Sequence, residues 1–228
     1  MANSHLEHDL KHEHSTYSEI ICHFPYAVFS VAFSLIVLNF MDFIAFQNTK
    51  DLSEVWFSMF HSFHFMHITF AAVGALLTYL KVSKGKNILR AMIFSGISST
   101  IFCMLSDIIF PYLGGLLLGV NMQFHICFVH EMHNIFPFLF VGLLTGWALS
   151  QHEENSLGVF GIWSHFTHIF VSSLASSFYM VSNGFTDWTC QIGYVFLVLI
   201  VAVVVPCTLS DIAAPMYLAR MDKRMDKK

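Results

Sequence analysis

Cys103-Met-Leu-Ser-Asp-Ile-Ile-Phe-Pro111 recurs 104 residues later as Cys207-Thr-Leu-Ser-Asp-Ile-Ala-Ala-Pro215. Each copy follows a His-x-x-His pair at the same interval: Asp107 stands 46 residues after His61 of His61/His64, and Asp211 stands 46 residues after His165 of His165/His168. Apolar bias alone repeats Leu, Ile and Phe. It does not repeat histidine, cysteine, aspartate and proline in register. The chain therefore reads as a duplicated unit whose shared chemistry is imidazole plus carboxylate in apolar surroundings.

Those surroundings are a lipid bilayer. Of the 228 residues 56% are hydrophobic and only 11% charged, with Phe contributing 25, a balance that a water-soluble globule does not have. Six apolar stretches, near 25–46, 55–80, 89–118, 124–149, 157–182 and 191–218, reach the length of about 20 helical residues that a hydrocarbon core requires. No stretch alternates apolar and polar residues as a lipid-facing barrel strand does. The expected fold is all-α, a polytopic membrane protein of six transmembrane helices.

Lys81, Lys84, Lys86 and Arg90 crowd the loop after the second span, and Arg220, Lys223, Arg224, Lys227 and Lys228 follow the sixth. The positive-inside rule places both groups in the cytoplasm, and with six spans both termini lie there. The repeat then comprises three spans, an odd number, so its second copy enters the membrane from the opposite side. Two inverted three-helix repeats are the pattern of many secondary transporters, whose substrate binds near the midplane. The organisation expected is a His-rich polar tail over 1–22, repeats over 23–120 and 121–219, and a basic tail over 220–228.

Residues three apart share a helix face, so His61/His64, His130/His133 and His165/His168 each aim two imidazoles at one point. His61, His64 and His67 do not all converge, because each three-residue step falls about 60° short of a turn. His64 and His67 form the deeper pair, although the repeat itself pairs His61 with His64. Intramembrane carboxylates are costly and mark function by default, which adds Asp107, Asp211 and Glu131. Pro111 and Pro215 stand four residues after these aspartates and Pro137 four after His133, so each is expected to free the carbonyl of the residue four before it. Cys103 and Cys207 read as small packing residues, as buried cysteines mostly do.

Several histidines with one or two carboxylates suit zinc, iron, manganese, cobalt, nickel or copper better than magnesium or calcium. The first expectation is a proton-coupled transporter of a divalent transition metal, with His61, His64, His67, Asp107, His130, Glu131, His133, His165, His168 and Asp211 as metal residues. A membrane redox protein or metalloenzyme is the alternative, either a b-type cytochrome with histidine-ligated haem or a di-metal oxidase. A cofactor-binding subunit of a larger membrane complex is the third. Metal ion and lipid are the expected partners, as a single unit, a homo-oligomer or part of a larger complex. The net charge of −4 excludes a nucleic-acid footprint.

Two features lie outside the repeat. His5, His8, His12 and His14 stand among Glu7, Asp9 and Glu13, a tract that collects metal ions or remains a solvated tail. Asp42, near the end of the first span, lines an access path or reaches interfacial water. The stretch His130-Glu-Met-His133 is similar over a few residues to the His/Glu-rich helices of ZIP-type zinc transporters. It lacks their second clustered histidine motif and the chain has two spans fewer, so the likeness implies no assignment.

Overall fold

The computed structural model describes residues 16–48, 53–83, 87–127, 131–151 and 154–225. The His-rich tail and His130 lie outside these residues. Nearly all of the described residues are helical, and none of them forms a strand. The helices are α1 (Thr16–Asn48), α2 (Ser53–Ser83), α3 (Ile88–Met104, Leu105–Ile109 and Phe110–Leu117), α4 (Met132–Leu149), α5 (Glu154–Ser182) and α6 (Ile192–Thr208, Leu209–Ala213 and Ala214–Met225).

Five segments are long and apolar enough to cross a membrane: Phe24–Ile44, Ser53–Ser83, Ile88–Leu117, Met132–Leu149 and Trp188–Asp222. The sixth expected span corresponds to α5, which has the length, 29 residues, but carries a polar face. Ser172, Ser173, Ser176 and Ser177 are buried there beside His168. Exposure is inverted relative to a soluble protein. Phe29, Phe33, Ile36, Phe40, Phe136, Phe140, Leu197 and Val201 are exposed, whereas Asp107, Asp211, His64, His67 and His168 are buried. This is the arrangement of a helical bundle in lipid, where polar groups must find partners inside the protein.

The fourth span starts later than its apolar sequence suggests. Residues 121–126 are non-helical and α4 begins at Met132, because the segment is tied to the end of α5. The Gln123 N–H donates to the Asn183 carbonyl at 2.8 Å, and Gly184, at φ 111°, allows the close turn opposite Asn121. Met122 and Cys127 are buried in consequence.

Helix α2 is the hub, packed against α3, α4, α5 and α6, while α1 lies against α5 and α6. Small residues permit this crowding. A Cβ on Gly142 of α4 would stand 2.5 Å from the Thr69 carbonyl oxygen, and one on Gly146 would stand 3.2 Å from that of Val73. The Gly142-x-x-x-Gly146 spacing thus lets the α2 and α4 backbones touch, as small-residue stripes do in membranes.

Both copies of the repeated segment take the same rare backbone form. Leu105–Ile109 and Leu209–Ala213 are π-helical turns, in which the Phe110 N–H bonds the Leu105 carbonyl and the Ala214 N–H that of Leu209. This corrects the expectation drawn from the prolines. In the i→i−5 register the carbonyl deprived by Pro111 is that of Ser106 rather than Asp107, because proline has no N–H to give it. The Ser176 hydroxyl of α5 supplies the missing bond to the Ser106 carbonyl at 3.0 Å. Such turns inside α-helices are frequent at functional sites.

Candidate metal centre

Each π turn presents its aspartate to an i,i+3 pair of histidines on a neighbouring helix. The Nδ1–H groups of His64 and His67 donate to Asp107 Oδ2 at 2.9 and 2.7 Å. In the second copy the His168 Nδ1–H donates to Asp211 Oδ2 at 2.6 Å, and His165 Nδ1 lies 3.2 Å from the same oxygen. The bonds His64–Asp107 and His168–Asp211 are counterparts under the repeat. The others are not: Asp107 takes the histidine after His64, whereas Asp211 takes the one before His168.

The exception closes the site. The counterpart of His67 in the second copy is Val171, so His67 is an addition of the first half. Its Nε2 reaches the Nε2 of His168 at 2.7 Å. An ionised carboxylate only accepts, so both rings carry their proton on Nδ1 and each turns an Nε2 lone pair toward the other. Two lone pairs at this separation repel unless a positive charge lies between them. The arrangement therefore suits one shared proton or one metal ion.

Cys207 completes the cluster, with its Sγ 3.7 Å from His67 Nε2 and 3.5 Å from the Ser172 hydroxyl. The ligand atoms of His67, His168 and Cys207 all lie within 4.8 Å of one another, and all three residues are buried. Cys103, the repeat counterpart of Cys207, also interacts with His67. In tetrahedral zinc sites with bonds of about 2.0–2.3 Å, neighbouring ligand atoms stand roughly 3.3–3.6 Å apart. The Cys207–His67 distance is already near this range, and the two imidazoles, 2.7 Å apart, need to part by roughly half an ångström or more to reach it. Carboxylates that hold the distal nitrogens of histidines are the usual support of metal-binding imidazoles.

The two carboxylates are not equally engaged. Asp107 Oδ1 accepts from the Ser106 hydroxyl at 2.7 Å and the Ser172 hydroxyl at 3.0 Å. Asp211 Oδ1 and the Ser210 hydroxyl, their counterparts, are buried without a hydrogen-bond partner, as is His64 Nε2. Among the described residues no lysine or arginine is buried. The Arg90–Asp222 ion pair, with the Tyr79 hydroxyl 3.2 Å from the same carboxylate, belongs to the far end of α6.

Of the remaining residues named from sequence, His133 is exposed on the first turn of α4 and joins neither histidine–aspartate set. Glu131 stands at the N-terminus of that helix, its carboxylate accepting from the Asn134 side-chain NH2 at 2.5 Å and lying within electrostatic reach of His61. His61 is turned away from Asp107: its Nδ1–H donates to the Phe57 carbonyl at 2.8 Å. Asp42 accepts from the Trp188 indole N–H at 2.7 Å, which ties the end of α1 to the turn before α6. Ser172 and His125 were not named from sequence, and Cys207, read there as a small packing residue, instead stands in the cluster with His67 and His168. Only Cys207 carried a signal in the sequence, its place in the repeat. Compared with family models, curated proteins and solved structures, the chain matches none.

Proposed function

We propose that this chain is an integral membrane carrier of a divalent transition metal, bound at His67, His168 and Cys207. The observation that carries this reading is the opposition of two Nε2 atoms at 2.7 Å, each ring held from behind by a buried carboxylate. Two imidazoles and a thiolate select zinc, cobalt or copper over magnesium and calcium. A haem between the same two histidines is disfavoured, because the rings already touch and leave no slot for a macrocycle.

The proton balance gives the site its chemistry. Without metal, His67 and His168 share one proton and Cys207 keeps its own. A divalent ion replaces both, so two protons leave as two positive charges arrive and the buried charge is unchanged. Asp107 and Asp211 stay ionised and fix the ring tautomers. Exchange of this kind suits coupling to a proton gradient. In this reading α3 and α6 belong to two inverted halves that rock about the site, with both termini cytoplasmic.

Purified protein in sealed vesicles tests the proposal. Zinc, cobalt or a neighbouring ion is expected to accumulate in response to an imposed pH gradient, and His168→Ala to abolish uptake. A Soret band in the purified protein, or tightly held metal without flux, would move the assignment to the redox class.

A further inference from the structure

We propose that His61, His125 and Cys127 form a second metal site, for a borderline ion such as Zn2+, separate from the His67/His168/Cys207 cluster. Their ligand atoms lie within 4.8 Å of one another, and Cys127 Sγ stands 3.4 Å from His61 Nε2. That distance already falls in the range of roughly 3.3–3.6 Å between neighbouring ligand atoms of a tetrahedral zinc.

The orientation of His61 is the second observation. By the repeat, His61 corresponds to His165, which lies on Asp211. His67 has taken its place on Asp107, and His61 instead donates Nδ1–H to the Phe57 carbonyl. A carbonyl accepts only, so the Nε2 lone pair of the neutral ring faces the Cys127 thiol, whose proton it accepts. A backbone carbonyl behind the distal nitrogen is one of the common supports of a metal-binding histidine.

Of the other two ligands, His125 lies in the non-helical segment before α4 and Cys127 directly follows that segment, which is held in place. The Tyr179 hydroxyl accepts from the His125 N–H and donates to the His125 carbonyl, each at 3.3 Å. Gln123 is bonded to Asn183, and Cys127 is fully buried. Phe57 and Phe60 pack edge-on to the His61 ring at 4.2 and 4.9 Å, and Phe57 packs similarly on His125 at 5.0 Å. These rings restrict water around the thiol, while Glu131 lies within electrostatic reach of His61. His61 and His67 are six residues apart on one helix, about 9 Å along its axis. The two sites are therefore distinct, and an ion does not satisfy both at once.

Cobalt titration of the full chain in detergent tests the site without relying on transport. Wild-type protein is expected to bind two equivalents of Co2+, each with a thiolate-to-cobalt charge-transfer band. His168→Ala, which damages only the inner cluster, should retain one equivalent and its band, and the further change Cys127→Ser should remove both. His61→Gln in the same background, which leaves the thiol in place, should weaken the remaining equivalent by at least about tenfold, guarding against a folding defect of the cysteine variant. Loss of every thiolate band in His168→Ala would overturn the second site while leaving the inner one standing. A band that survives His168→Ala but vanishes in Cys127→Ser alone would uphold the second site and count against the inner one.

Discussion

Gly74 of α2 lies directly against the carboxylate of Asp211: a Cβ at this position would stand 3.2 Å from Cγ and from Oδ1. The glycine is what admits a π turn of α6 to the flank of α2. Gly74→Ala is expected to push the carboxylate by a few tenths of an ångström and to lengthen its bond to His168. Metal affinity should drop about tenfold, as when other supports of ligand histidines are disturbed. Isothermal titration against the wild type measures it, and unchanged affinity would remove Asp211 from the support of the site.

The charge of each aspartate should matter beyond its shape. Asp107→Asn and Asp211→Asn keep the volume and are expected to lower metal affinity by about 10–100-fold each. Their effects on folding should differ. At Asp107 an amide NH2 finds the Ser106 and Ser172 hydroxyl oxygens, whereas at Asp211 it enters a place where Oδ1 has no partner. Thermal unfolding in detergent should therefore show Asp211→Asn as the less stable variant, and the reverse order would contradict the described asymmetry.

Binding at the inner cluster is expected to release about two protons per ion near neutral pH, one from between the imidazoles and one from Cys207. Acidification should accordingly weaken binding, because protons compete for the same lone pairs. Calorimetric titrations in buffers of different ionisation enthalpy count the protons directly. A release close to zero would mean that metal does not displace the shared proton.

Cys207→Ser removes the thiolate while keeping a small polar group. Affinity for zinc and cobalt should fall well over tenfold, and the preference over magnesium should narrow, since the remaining donors are harder. A full set of metal affinities unchanged by this variant would leave Cys207 as a packing residue.

The contact of α2 with α4 is expected to tolerate Gly146→Ala better than Gly142→Ala. The first brings a methyl group 3.2 Å from a carbonyl oxygen and the second brings one to 2.5 Å, an overlap that forces the backbones apart at about 1–3 kcal/mol. Melting temperatures in detergent rank the two, and equal melting would indicate that the helices separate freely.

The helical class was legible because long apolar stretches leave little choice of structure. The start of the fourth span was not. Phe124, Ile126 and Cys127 look like a helix beginning in lipid, yet hydropathy does not distinguish that from an irregular segment tucked against protein. The repeat brought out the histidines and aspartates, because polar residues in register stand out against an apolar background. It concealed the meeting of His67 with His168, since His67 has Val171 as its counterpart and the two rings come from different helices. The prolines signalled a break beside each aspartate but not its register: one residue of π geometry moved the deprived carbonyl from Asp107 to Ser106. His125 stands alone in sequence, and only the path of the chain past Tyr179 brings it to His61.

The absence, among the described residues, of a buried lysine or arginine beside Asp107 and Asp211 reaches beyond binding. Two buried carboxylates whose partners are imidazoles and hydroxyls need positive charge from a bound proton or metal ion. If the inner cluster holds a metal ion as proposed, the packing of α2 against α5 and α6 is coupled to its uptake, and folding gains a dependence on the concentration of that ion. Where cellular quality control removes loosely packed chains, the amount of this protein would then follow the supply of the proposed ion.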